Sequence, residues 1–167
     1  MILSKRIALS GTTLIEAMIA ATLAALFLGS LFAMNSSSMA TIKMARDAAC
    51  ASQVLQQRIE GLRIANWHQI TDATWLQNNL LNTNAAGSSQ LKNITETLML
   101  IPYGSLTPGN TKLTRSGGQT TIVNQSDALL AENAVKVVWT VTYLGVPNES
   151  NITRQTVAIV AKGGVAK

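Results

Sequence analysis

The longest apolar stretch of the sequence lies near its start. Residues 17–34 carry no charge, and they directly follow a single acidic residue, Glu16. As an α-helix this segment would be about 27 Å long, which is close to the roughly 30 Å hydrocarbon core of a bilayer. The sequence therefore predicts a helix that can span a membrane.

Beyond this run, apolar or small residues recur at steps of three and four, the periodicity of an amphipathic helix. The recurring positions are Ile42, Ala45, Ala49, Ser52, Leu55, Ile59 and Leu62. Charged residues, among them Asp47 and Arg58, occupy the rest of the helical wheel. The simplest account is one helix from about Thr13 to about Ala65, with its second half packed under a sheet.

The C-terminal half shows the two-residue alternation of β-strands. We predict strands at residues 94–101, 112–114, 119–123, 135–144 and 152–162, with the last two forming a hairpin around residues 145–151. Turns are expected at 107–110 and 116–118, and a loop at 82–90. We also expect a short helix capped by Thr71 or Asp72, and either a helical turn or part of a surface loop at 127–132. The predicted fold class is α+β: a long N-terminal helix packed on an antiparallel sheet of three to five strands.

The residues around Glu16 form a short, specific pattern of a basic segment, a glycine, an apolar pair and an acid. They are Lys5, Arg6, Gly11, Leu14, Ile15 and Glu16. This pattern resembles the processing signal of type IV prepilins and pseudopilins. The resemblance implies that a membrane-embedded prepilin peptidase cuts between Gly11 and Thr12, methylates the new amino group and leaves the apolar helix attached. Thr12 departs from the family pattern, in which phenylalanine is usual.

The resemblance also implies roles for the helix. The Glu16 carboxylate would pair with the new amino group of Thr12 on a neighbouring subunit, a Coulomb attraction on the order of 4 kcal/mol before desolvation. The implied domains are a leader at 1–11, a transmembrane and filament-core helix at 12–34, its amphipathic continuation at 35–66 and a globular β-domain at 67–167. The implied core contacts come from Leu14, Ile15, Ala17, Met18, Leu23, Leu26, Phe27, Leu31 and Phe32.

Two other interpretations of this region stay open. Thr13 and Glu16 have the spacing of a capping box, in which both side chains satisfy amides of the first helical turn. A conventional signal peptide cut after Ala40 is the second. It fits less well, because such signals have an apolar region of about 7–15 residues.

Composition narrows the functional classes. The chain of 167 residues is 47% apolar and 13% charged, with a formal charge of +5. Without Lys5 and Arg6 the charge would be +3, from 11 basic and 8 acidic residues, too small to indicate nucleic-acid binding by itself. Cys50 is the only cysteine and is expected to be a packed core residue without an intramolecular disulfide. His68 is the only histidine, and we expect no metal site, no cofactor and no enzymatic activity.

The function expected from the resemblance is that of a structural subunit of a type IV pilus or related filament, most similar to a minor pilin. Its partners would be the prepilin peptidase, other pilin subunits and an inner-membrane assembly platform. It would begin as a single-pass bacterial inner-membrane precursor with a periplasmic C-terminal domain, and then join the filament. The alternatives are a pseudopilin of a type II secretion or DNA-uptake system, and a signal-anchored membrane protein with a periplasmic binding domain.

Overall fold

A computed structural model describes residues 14–104, 110–145 and 150–163 of the chain. The first element, α1, is a single α-helix over Leu14–Ile64, in agreement with the predicted long helix. The chain divides into two compact units within this helix, one ending at Thr41 and the other beginning at Ile42. The described part of the first unit is helix throughout.

The second unit contains one five-stranded antiparallel sheet, and each of the five predicted strands is confirmed. The strands are β1 (Thr95–Pro102), β2 (Thr111–Ser116), β3 (Gln119–Asn124), β4 (Ala134–Leu144) and β5 (Asn151–Ala161), in the order β3-β2-β1-β4-β5. The predicted hairpin joins β4 to β5, and the predicted turn at 116–118 joins β2 to β3. The turn expected at 107–110 lies outside the described residues, except for Asn110.

One face of the sheet packs on the second part of α1. Alternate β4 residues, from Val135 to Tyr143, are buried, because successive strand residues point to opposite faces. They share one hydrophobic core with Cys50, Val54 and Leu62 of α1. Together the helix and the sheet form the predicted α+β arrangement.

The predicted apolar stripe on α1 is confirmed at its end and wrong at its start. Leu55, Ile59 and Leu62 pack in the core, whereas Ile42, Ala45, Ala49 and Ser52 are exposed. The buried residues of α1 are Asp47, Cys50, Ala51, Val54, Leu55, Arg58 and Leu62. The stripe that faces the core therefore contains two charged residues, which a count of apolar positions assigns to the solvent-facing side.

Between α1 and β1 the chain folds into short helical segments. Helix α2 (Trp67–Thr71) begins with a capping box between Asn66 and Gln69 that the sequence analysis did not predict. Asp72 then caps a helical turn at Ala73–Trp75, as predicted.

A π-helical segment, Leu76–Leu81, follows this turn, and it ends with the Asn82 N–H donating to the Gln77 carbonyl at 2.9 Å. A Cβ on Gly61 would lie 2.6 Å from Leu80 Cδ1. The glycine therefore allows this segment to pack closely on α1. The loop expected at 82–90 contains a 3₁₀ turn at Ser88–Gln90, and the helical turn expected at 127–132 is confirmed as a 3₁₀ turn at Asp127–Ala131.

Candidate anchor segment and buried ionic cluster

The first unit carries the candidate anchor segment, which we define as Leu14–Thr41. Its apolar part is long and apolar enough to cross a membrane. The nine residues predicted for the filament core are all exposed, with values from 46% for Leu31 to 81% for Leu14 among the larger side chains. These side chains form a continuous apolar surface that the described chain itself does not cover.

The anchor segment has two polar side chains within its uncharged run, and both bond to their own helix. The Thr22 hydroxyl donates to the carbonyl oxygens of Met18 and Ile19, each at 2.9 Å. The Ser30 hydroxyl donates to the Phe27 carbonyl at 2.7 Å. In this way neither hydroxyl donor is left unsatisfied in an apolar environment.

Glu16 lies in the first turn of α1, and its side chain is exposed. A carboxylate at a helix N-terminus interacts favourably with the helix dipole. Within the described ranges, no hydrogen bond or ion pair joins Glu16 to another residue. Gly11, Thr12 and Thr13, which bear on processing and on the capping box, lie outside those ranges.

The second unit contains a buried ionic cluster centred on Glu96 of β1, which is 0% exposed. Arg58 of α1 approaches this carboxylate with two nitrogens, as Nε donates to Oε2 at 2.8 Å and Nη2 donates to Oε1 at 2.9 Å. Arg115 of β2 donates from Nη1 to Oε1, also at 2.9 Å. Two guanidinium groups thus share one carboxylate inside the protein.

Other donors of the two arginines reach the π-helix and the segment that follows it. Arg58 donates to the backbone carbonyls of Leu80 and Thr83, the latter at 2.9 Å. Arg115 donates from Nη2 to the Asn84 side-chain oxygen. The cluster therefore connects the second part of α1, the strands β1 and β2, and the loop that leads from the π-helix to β1.

Because the cluster is buried, loss of one of its members should reduce the stability of the protein far more than loss of an ion pair at the surface. Removing one partner from a buried pair typically costs 3–5 kcal/mol, because an uncompensated charge remains inside. Glu60 and Arg63 of α1 form a pair at 2.7 Å with both side chains more than half exposed. Such exposed pairs contribute about 0–1 kcal/mol.

The loop at 82–90 is also attached to α1 outside the cluster. The Ala86 N–H donates to Gln57 Oε1 at 2.6 Å, and the Cys50 thiol donates to Gln90 Oε1 at 3.3 Å. Gly87 adopts φ = 84°, and a Cβ there would lie 3.3 Å from the Cys50 carbonyl oxygen. Glycine suits this position because the backbone is left-handed and lies close against the helix. The packed role predicted for Cys50 is confirmed, since the residue is buried.

The sequence analysis did not predict the cluster, although its strand members carry a readable signal. Glu96 alternates in phase with the buried Leu98 and Leu100, and Arg115 is in phase with the buried Leu113. When residues of opposite charge occupy positions of two strands that face the core, they indicate a buried ion pair.

Two tryptophans and the histidine lie close to the end of α1 and differ in burial. Trp67 is buried and Trp75 is partly buried against the core, whereas His68 is exposed. Among the described residues, no three His, Cys, Asp or Glu side chains lie close enough to hold a metal ion. No protein-family model, curated protein or solved structure matches this chain.

Proposed function

We propose that this protein is a structural subunit of a type IV pilus or a related filament, of the minor pilin kind. One observation carries the proposal: α1 is a single helix whose first part exposes an uncharged apolar surface and whose second part packs on an antiparallel sheet. An exposed apolar surface of this extent requires lipid or protein around it. A filament subunit uses both environments in turn, first as a membrane precursor and then within the assembly.

The pattern from Lys5 to Glu16 supports a specific processing step. In this proposal a membrane-embedded prepilin peptidase cuts between Gly11 and Thr12 and methylates the new amino group. Lys5 and Arg6 hold the leader on the cytoplasmic side of the inner membrane, so the second unit is periplasmic. The apolar helix stays with the mature chain.

Glu16 supplies the proposed assembly contact. Its carboxylate pairs with the Thr12 amino group of a neighbouring subunit, and this pairing selects the axial register as the helix docks. An acid beside an apolar span is costly when unpaired, which gives the pairing a driving force in the membrane. The partners of the protein are accordingly the peptidase, an inner-membrane assembly platform and other pilin subunits, and we propose a non-catalytic role.

The test of this proposal is mass spectrometry of the N-terminal peptide from the membrane-bound protein in its own host. We expect a mature chain that starts at Thr12, with one added methyl group. A chain that retains Met1 would contradict the proposal and indicate a plain signal anchor. A chain that starts at Thr41 would contradict it as well, because the apolar helix would have been removed.

A further inference from the structure

A cleft of about 490 Å³ opens in the second unit beside Arg115. It lies between the loop after the π-helix, the start of β1 and the turn between β2 and β3. Six of its lining residues have hydroxyl or amide side chains, and Leu91 and Ile94 add apolar surface; the six are Asn84, Ser88, Ser89, Asn93, Thr95 and Ser116. A volume of this size is within the range of small-molecule binding sites.

Among the residues that the structure describes, Arg115 is the one charged residue that lines this cleft. It is 5% exposed, and the ionic cluster to which it belongs holds two positive guanidinium groups against one carboxylate. One positive charge of the cluster is therefore not balanced within it. A negative charge in the cleft would balance it through Coulomb attraction to the Arg115 guanidinium.

The donors of the two arginines are not equally satisfied. Arg58 has a hydrogen-bond partner at each of its three guanidinium nitrogens. Arg115 Nε is buried and has no partner among the described residues. Buried charged donors are normally paired. The unmatched donor thus belongs to Arg115, the arginine of the cluster that lines the cleft.

The turn between β2 and β3 keeps one side of the cleft open. Gly117 and Gly118 have φ values of 58° and 83°, the left-handed pair that a two-residue hairpin turn requires. A Cβ on either residue would meet nothing within 4 Å. Hence no side chain covers the cleft at this turn.

We propose that this cleft binds a small monocarboxylate that also carries hydroxyl groups, the chemistry of a uronic acid. The carboxylate lies against the Arg115 guanidinium, where one negative charge neutralises the excess charge of the cluster. The hydroxyl groups bond to the serine, threonine and asparagine side chains of the lining. This binding role goes beyond the filament role and does not depend on it.

The test uses the full chain in detergent micelles, labelled with ¹⁵N and titrated with galacturonate. We expect saturable shifts of the Gly117 and Gly118 amide resonances. Neutral galactose at the same concentrations should produce no such shifts, and inorganic phosphate should bind more weakly than galacturonate. Equal responses to galacturonate and galactose would overturn the proposed charge recognition. Binding of phosphate at least as tight as that of galacturonate would overturn the assigned ligand class.

A matched pair of variants tests the location without altering the cluster. Ser89 is exposed on the cleft wall. Ser89→Asp adds a carboxylate to the cleft wall, which repels the carboxylate of the ligand and should weaken galacturonate binding at least about fivefold. Ser89→Asn adds a side chain of nearly the same shape as aspartate but without its charge, and it should change the affinity less than about twofold. Equal affinities of the two variants would contradict binding in this cleft.

A free sugar acid and a uronate unit of a polysaccharide present the same groups to the cleft. Titration with tetragalacturonate distinguishes these two sources. Tighter binding than that of galacturonate would support a polysaccharide ligand, and equal or weaker binding would support the free acid.

Discussion

The guanidinium carbon of Arg58 lies 5.9 Å from the centre of the Trp139 ring, over the face of the indole. The same guanidinium group donates two hydrogen bonds to Glu96. Arg58 is thus held by an aromatic face and a carboxylate at once, both inside the core. A cation over a desolvated tryptophan contributes on the order of 2 kcal/mol, in addition to the ionic hydrogen bonds.

The buried cluster predicts a large effect of neutralising Glu96. Glu96→Gln leaves two buried guanidinium groups without a counter-charge, and we expect it to lower the free energy of unfolding by about 3–5 kcal/mol. Chemical denaturation of the full chain in detergent, followed by tryptophan fluorescence, measures this change. Glu60→Gln is the matched control, since it removes an exposed acid of α1 and should cost less than about 1 kcal/mol. Similar losses in the two variants would show that burial does not determine the energy of the cluster.

The register of β4 predicts losses of stability of different size for two adjacent valines. Val137 is fully buried in the core, whereas Val138 lies on the other face of the sheet and is only partly buried. Val137→Ala removes two buried methyl groups and should lower the free energy of unfolding by about 2 kcal/mol, whereas Val138→Ala should lower it by less than about 1 kcal/mol. The same denaturation assay compares them. A larger loss for Val138→Ala would contradict the face assignment of the strand.

Cys50 predicts slow reaction of the native protein with a thiol reagent. Its side chain is buried and hydrogen-bonded to Gln90, so labelling requires local or global opening. We expect labelling at least about tenfold slower than in denaturant. Ser52, two residues along α1, is exposed, so the double variant Cys50→Ala with Ser52→Cys should label rapidly in the native state. Equally slow labelling at both positions would indicate that this part of the helix is covered by something other than the core.

The proposed assembly contact predicts a separation between processing and incorporation. Glu16→Val should be cut after Gly11 as usual yet remain in the membrane, because the incoming helix loses its ionic partner. Mass spectrometry of the mature N-terminus and immunoblotting of sheared filaments measure the two steps. Glu60→Val is the control, because Glu60 is an exposed acid in the second part of α1 and it should enter filaments normally. Normal incorporation of Glu16→Val would contradict the register role.

Sequence patterns predicted the long helix and the five strands, and the periodicity was strongest in the helix and in the last two strands. In β4, the alternation from Val135 to Tyr143 could be recognised without the structure. Which residues of α1 face the core could be predicted only for the end of the stripe, at Leu55, Ile59 and Leu62. Asp47 and Arg58 lie on the buried side, and their burial depends on partners distant in sequence, as the bond from Arg58 to Glu96 illustrates.

The short segments after α1 were hard to predict from the sequence because their local signals are weak or absent. The capping box between Asn66 and Gln69 was readable as a local pattern but lacked a following apolar run. The π-helical hydrogen bond from Asn82 to Gln77 has no local sequence signature, and the segment that contains it packs on α1 at Gly61, which is distant in sequence. The cleft beside Arg115 likewise depends on three chain segments meeting, which no single stretch of sequence records.

The hydroxyl groups of Thr22 and Ser30 have a consequence for transfer of the helix between environments. Each already donates to a carbonyl of its own helix, so neither has to exchange a hydrogen-bond partner when lipid around the helix is replaced by protein. The contribution of these two hydroxyl groups to the transfer energy is therefore nearly the same in both environments. In the proposed filament role the uncharged run can move from lipid to protein without breaking a hydrogen bond, which leaves Glu16 as the polar side chain of residues 14–34 whose partner changes.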